Sequence, residues 1–242
     1  MQINEINAVL RQNGINLSED ALNKLFIYHR LLNEWNKVMD LTNVPEEEFA
    51  IRHYVDSLKP VVLCPELFEN CKTLIDVGTG AGLPGLPIAI MRPDIQVTLL
   101  ETQRKRCDFL EKVKCEADLI NVTIIQMRAE DGGKSLKLRE QFDIACARAV
   151  ASLPVLSEYL LPFVKVSGKA LCWKGPAVYD EMENGAYASG QLGGSAPTIQ
   201  KIVMENADHL LVIIGKTEKT PKQYPRKAGI PTKKPLENPD LI

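Results

Sequence analysis

The chain reads as an α/β protein built on a mostly parallel, doubly wound sheet, and three features predict it. Beyond about residue 65, apolar runs of strand length (TLIDV, QVTLLE, VTIIQM, FDIACA and ALCWK) alternate with helical segments, as strands joined by crossover helices do. The first run stops at Asp76 and opens into GTGAGLPG, whose four glycines (Gly78, Gly80, Gly82 and Gly85) mark a strand ending in a ligand-binding loop. IQKIVME and HLLVIIG, separated by a short polar turn at Asn206 to Asp208, predict an antiparallel hairpin that closes one edge of a seven-stranded sheet.

The elements follow in order. Ser18 predicts an N-cap, and Leu22, Leu25, Phe26, His29, Leu32, Trp35 and Met39 recur at helical spacing behind it. Trp35 falls on this apolar face and therefore reads as core. A second helix is predicted from the acidic cluster Glu46, Glu47 and Glu48 through Ile51, Tyr54, Val55 and Leu58 to Lys59. Residues 1–65 form a helical extension packed on the main domain, residues 66–216 the sheet domain, and residues 217–242 a basic tail.

Composition narrows the class. No apolar run approaches the ~20 residues of a membrane span, and the first residues have neither a basic region nor a continuous apolar core, so a soluble cytoplasmic protein is expected. Six scattered cysteines without a C-x-x-C pair, and three distant histidines, indicate neither a disulfide framework nor a metal site. Net charge is −2 but uneven. Residues 216–234 hold Lys216, Lys219, Lys222, Arg226, Lys227, Lys233 and Lys234 against Glu218 alone, which is +6 and leaves −8 elsewhere. That asymmetry suits a segment that meets a polyanion, and a solvated terminus explains it equally well. Three prolines there argue against a helix.

The glycine turn predicts a small cofactor. Gly80, Gly82 and Gly85 satisfy the spacing of dinucleotide sites, so Asp76 is the discriminating residue: a carboxylate there repels a pyrophosphate and welcomes a cationic ligand such as S-adenosylmethionine. Pro84 and Pro87 have the φ suited to a helix's first turn. Glu101 ends the second strand, 21 residues after Gly80, where a carboxylate accepts hydrogen bonds from a ribose diol. Ala129 and Glu130 end the third strand and could meet an adenine edge. The fourth strand ends in Ala147, Arg148 and Ala149, and Arg148 is a charged fork for a carboxylate, a phosphate or a guanine edge. No Asn/Asp-Pro-Pro-aromatic tetrad for exocyclic amines and no Pro-Cys pair for covalent attack is present, and Cys146 reads as core.

These residues bring out a resemblance. WNKVMDLT with Trp35 and Asn36, RHYVDS with Arg52, His53 and Asp56, DVGTGAGLPGLPIAI, Lys105-Arg106, ARAVASL around Arg148, Lys174-Gly175 and the closing RKAGIPTKKPL resemble the RsmG (GidB) family of bacterial small-subunit rRNA guanine-N7 methyltransferases over nearly the whole chain. The resemblance implies a class I S-adenosylmethionine-dependent methyltransferase fold (Rossmann-like) and a target guanine in the decoding-region loop of 16S ribosomal RNA, free or in the small subunit. It implies cofactor contacts from Gly78, Leu83, Glu101, Ala129, Glu130 and Arg148, to which the reading of the glycine turn adds Asp76, Gly80 and Gly82, with Arg148 also positioning the reactants and no general base expected. RNA contacts are expected from Asn36, Arg52, His53, Lys105, Arg106, Lys174, Arg226 and Lys227, no metal takes part, and a monomer is expected. The alternatives are an NAD(P)-dependent reductase, which shares the glycine turn and an acid at Glu101, and a non-catalytic RNA- or cofactor-binding module.

Overall fold

The computed structural model describes residues 1–148, 151–203 and 209–241. The turn expected at Asn206 to Asp208, and Ala149 after the fourth strand, lie outside the described residues. The helices are α1 (Ile3–Gln12), α2 (Glu19–Asn36), α3 (Asp56–Leu63), α4 (Pro65–Phe68), α5 (Gly85–Met91), α6 (Arg104–Glu116), α7 (Ala129–Gly132), α8 (Leu153–Leu160), α9 (Met182–Gln191) and α10 (Ile230–Lys233). The strands are β1 (Thr73–Val77), β2 (Gln96–Glu101), β3 (Val122–Gln126), β4 (Phe142–Arg148), β5 (Val164–Lys174), β6 (Thr198–Ile202) and β7 (His209–Gly215).

The sheet has seven strands in the order β3-β2-β1-β4-β5-β7-β6. Register is parallel for β1 with β4, β2 with β3 and β4 with β5, and antiparallel for β5 with β7 and β6 with β7. The hairpin therefore closes one edge, as its sequence predicts. In β1, Leu74, Ile75 and Asp76 are all 0% exposed, as a central parallel strand covered on both faces requires. β5 begins six residues before the ALCWK run: its first half, with Lys165, Ser167 and Lys169, crosses a register shift opposite Phe142 and Ile144, and Ser167 takes φ +75.

Two compact units divide the described chain, the first formed by residues 1–72 and 79–126 and the second by residues 73–78 and 127 onward. Inside the first, Leu25, Tyr28, Leu32, Tyr54, Leu58, Phe109 and Leu110 are fully buried. Ser18 caps α2 by accepting the Ala21 N–H at 3.2 Å. Trp35 is half-buried, its ring 5.7 Å from that of Phe109. The helix ends at Asn36, short of Met39. The second predicted helix is three pieces: a tight 3-10 turn at Glu46–Glu48, a wide π turn at Ala50–Val55, and α3. The apolar spacing cannot reveal that break, because Tyr54, Val55 and Leu58 face inward whether the turn closes at four residues or five. In the second unit, Ala145, Cys146, Leu153, Leu156, Leu171, Cys172 and Val212 are fully buried, which makes Cys146 core. The basic tail does contain one helical turn, α10, which Pro231 permits because it occupies the first turn, where its missing N–H has no partner to lose.

A buried polar chain ties the first unit's helices. His29 Nδ1 lies 3.0 Å from the Tyr54 hydroxyl, and Nε2 lies 3.3 Å from Glu46 Oε1. Burial, helped by the N-terminal ammonium, lowers the His29 pKa below its ordinary 6.5 although Glu46 opposes this. The unfolded imidazole then takes up a proton at higher pH than the folded one. Its contribution to stability is present above 6.5 and is lost as pH falls from there toward the lower folded value. Urea midpoints should decline through that window, and His29→Gln should decline less steeply there.

Candidate functional site

In the first unit, the candidate site starts where β2 stops. Glu101 is 4% exposed. Its Oε2 accepts the Gly80 N–H at 3.0 Å, and its Oε1 accepts the N–H groups of Thr102 and Gln103 at 2.6 and 2.9 Å and the Thr102 hydroxyl at 3.1 Å. The Arg106 guanidinium stands 3.9 Å from Oε2. One carboxylate thus fixes both the glycine turn and the start of α6. The turn is further closed by Thr79, whose N–H donates to Leu100 O at 3.2 Å and whose carbonyl accepts from Gly82 and Leu83 at 2.9 and 3.1 Å. From α2, the Tyr28 hydroxyl donates to Ala81 O at 2.8 Å.

Glycine is demanded at two of these positions. Gly80 has φ +59 and Gly82 has φ +93, which side chains rarely adopt. A methyl on Gly82 would also lie 2.3 Å from Leu86 Cδ1 and 2.7 Å from its Cγ. Leu83 is 5% exposed, and Pro84 leads directly into α5, with Pro87 in its first turn.

In the second unit, the strand order reverses between β1 and β4, the place where ligands of doubly wound sheets bind beyond the carboxyl ends. Asp76 is aligned with Cys146 across that pair and is 0% exposed. Gly78, immediately after β1, has φ +70. Arg148, half-buried, is the last residue of β4. Ala129 and Glu130 open α7, and Glu130, 4% exposed, accepts the Gly229 N–H at 2.8 Å. Its carboxylate therefore already holds a partner within the chain.

The residues expected to meet RNA divide into two kinds. Lys105 and Lys227 are exposed, and Arg52 is exposed with its guanidinium 2.9 Å from Glu48. Others are engaged internally. Asn36 orders the loop after α2, its Oδ1 accepting from Leu41 and Thr42 and its Nδ2 donating to Thr42 O, each at 2.9 Å. His53, 3% exposed, pairs with the Thr42 hydroxyl at 2.9 Å. Lys174 donates to Ala151 O and Glu181, both at 3.0 Å, and Arg226 grips the buried Glu158.

Sequence reading missed Tyr28 and Lys216. Lys216, counted with the basic tail, is 2% exposed and donates to Leu161 O at 2.7 Å and to the Thr220 hydroxyl. Burial pushes its ammonium down to about 8. Its position right after the apolar run HLLVIIG was the available signal. Among the described residues, no group of three or more His, Cys, Asp and Glu is placed to hold a metal ion, and no helix is long and apolar enough to cross a membrane.

The residues fit a nucleoside with a cationic group. Within the first unit, a buried carboxylate stands at the end of β2, bonded to a turn that carries no Cβ atom at Gly80 and Gly82; within the second, a buried carboxylate stands next to the last residue of β1. Comparison with known proteins agrees. A family model described as rRNA small subunit methyltransferase G matches residues 21–210. The chain is 47% identical over 227 residues to the ribosomal RNA small subunit methyltransferase G of Clostridium perfringens (strain 13 / Type A), covering 93% of this chain and 94% of that protein. It is 41% identical over 238 residues to the protein of the same name from Leuconostoc citreum, covering 98% and 100%. Among solved structures, the O-methyltransferase TomG of Streptomyces achromogenes, in complex with SAM, shares the fold at a TM-score of 0.55 and 15% identity, covering 90% of this chain and all of that one.

Proposed function

The chain belongs to the ribosomal RNA small subunit methyltransferase G family, and from that premise we propose that it moves a methyl group from S-adenosylmethionine to N7 of one guanine in the decoding-region loop of 16S rRNA. It is an S-adenosylmethionine-dependent rRNA methyltransferase, and the reductase reading finds no support among its relatives. The buried carboxylate of Glu101 at the end of β2, bonded to the glycine turn, is the observation that carries the cofactor assignment.

In this reading, bound S-adenosylmethionine supplies an electrophilic methyl on a positively charged sulfur. Guanine N7 has an in-plane lone pair and no proton, so the N7–C bond forms as the C–S bond breaks without a general base. The protein's task is then to orient, which can supply on the order of 7–11 kcal/mol. Glu101 Oε2, which accepts only the Gly80 N–H, keeps a lone pair that would receive a ribose hydroxyl. The backbone of Gly78, Gly80, Gly82 and Leu83 would lie against the ligand, Ala129 and Glu130 would border the adenine, and Asp76 would favour the cationic end. Arg148 orients cofactor or target. Lys105, Arg106 and Lys227 meet phosphates. We place the enzyme in the cytoplasm, acting as a monomer.

The test uses small-subunit particles and rRNA from cells that lack this protein. Incubation with the protein and methyl-labelled S-adenosylmethionine should put label on one guanine, which then cleaves under borohydride and aniline as N7-methylguanine does. Label on another atom, or a protein that binds NAD(H) and ignores S-adenosylmethionine, would overturn the reading.

A further inference from the structure

The segment after β7 carries five exposed lysines, Lys219, Lys222, Lys227, Lys233 and Lys234, while its other two cations face inward. Within the described residues its regular structure is one turn, α10, and a short 3-10 turn at Pro239–Leu241. Side chains from the body of the second unit shape the rest. The Arg139 guanidinium donates to four carbonyls: Thr220 at 2.6 Å, Gly133 at 2.7 Å, Tyr224 at 2.8 Å and Pro221 at 3.3 Å. Glu140 accepts the Thr220 N–H at 2.8 Å. Glu158, 0% exposed, accepts the Arg226 backbone N–H at 2.7 Å and takes three further bonds of 2.6 to 3.0 Å from its guanidinium. Glu130 accepts the Gly229 N–H, and Tyr159 bonds the Thr232 hydroxyl at 2.9 Å. At the crossing with α7, a methyl on Gly133 would sit 2.9 Å from Pro225 Cγ and 3.0 Å from Pro162 Cβ.

Anchors and lysines alternate along this course. Thr220 is held and Lys222 is out; Tyr224 and Arg226 are held and Lys227 is out; Gly229 is held before Lys233 and Lys234. A buried carboxylate bonded to one arginine at both backbone and side chain is an expensive arrangement if stability were its only product, because desolvating both charges offsets their attraction. What such a pair does supply is a single conformation. A row of cations fixed before binding loses less freedom on meeting a polyanion than a loose one.

We infer that Glu158 and Arg139 are positioning residues for RNA binding: they strap residues 219–234 to the second unit so that its lysines meet phosphates as a preset row. This rests on the reading above, in which the basic segment touches RNA.

Two sets of variants separate the strap from its charges: Lys219, Lys222 and Lys227 all changed to Ala, and the strap variants Glu158→Gln and Gly133→Ala, each measured for affinity to a small-subunit rRNA fragment across a salt series and for the rate of trypsin cleavage in residues 219–227. The triple lysine variant should show a shallower salt dependence, by about one unit of slope per phosphate contact removed. The strap variants should keep the slope, lose roughly tenfold in affinity, and be cut faster. Gly133→Ala decides the matter if Glu158→Gln fails a melting check for folding, since it removes no charge. A strap variant cut faster that binds RNA like the parent overturns the inference, as does one cut no faster than the parent. A triple lysine variant with the parental slope would instead sink the RNA reading of the segment, and the inference with it.

Discussion

Glu101→Ala is expected to weaken S-adenosylmethionine binding by roughly 1.5–3 kcal/mol, about 10- to 150-fold, the usual loss for hydrogen bonds to a charged group. Two causes add up. In the proposed site the ribose loses its acceptor, and the turn loses the carboxylate that holds the Gly80 N–H and the first residues before α6. Glu101→Gln separates them, because its amide keeps one oxygen and turns an N–H toward a backbone donor. Isothermal calorimetry measures both variants. Parental affinity in Glu101→Ala would show that the cofactor does not use this strand end.

Gly82→Ala should be more damaging still. Its φ of +93 is a conformation that costs a side-chain-bearing residue roughly 1–2 kcal/mol. The new methyl also meets Leu86, which is itself fully buried, and overpacking of this kind typically costs about 1–3 kcal/mol. Both terms fall on the turn proposed to carry the cofactor, so affinity should collapse along with stability. Urea midpoints and calorimetry read the two effects. Leu86→Ala opens the space the methyl needs, so the double variant should be less destabilised than the sum of its parts. Strict additivity would mean that the clash does not decide the cost.

The parallel strands were legible because a parallel strand covered on both faces must be largely apolar, and TLIDV and QVTLLE coincide with β1 and β2. α2 was legible because Ser18 announces its start. The first half of β5 was hidden because a register shift and exposed polar residues replace its apolar pattern. At the site, Glu101 and the glycine turn could be read from residue type and spacing, since their chemistry is local. Tyr28 could not, because its bond to Ala81 spans 53 positions and a buried tyrosine on an apolar face has no mark of its own. The basic segment was half legible. Its charge is plain in sequence, whereas Glu130 and Glu158, which hold it, lie 99 and 68 residues away and look like any surface acids.

The bond from Tyr28 to Ala81 means that the N-terminal helices are not an optional module bolted onto a catalytic chassis. A trimmed chain starting at β1 would leave the glycine turn without its tether to α2, and a chimera carrying foreign helices would inherit a sagging turn unless the graft restored a phenol at that spot. Engineers seeking a minimal enzyme from this scaffold should shorten it elsewhere.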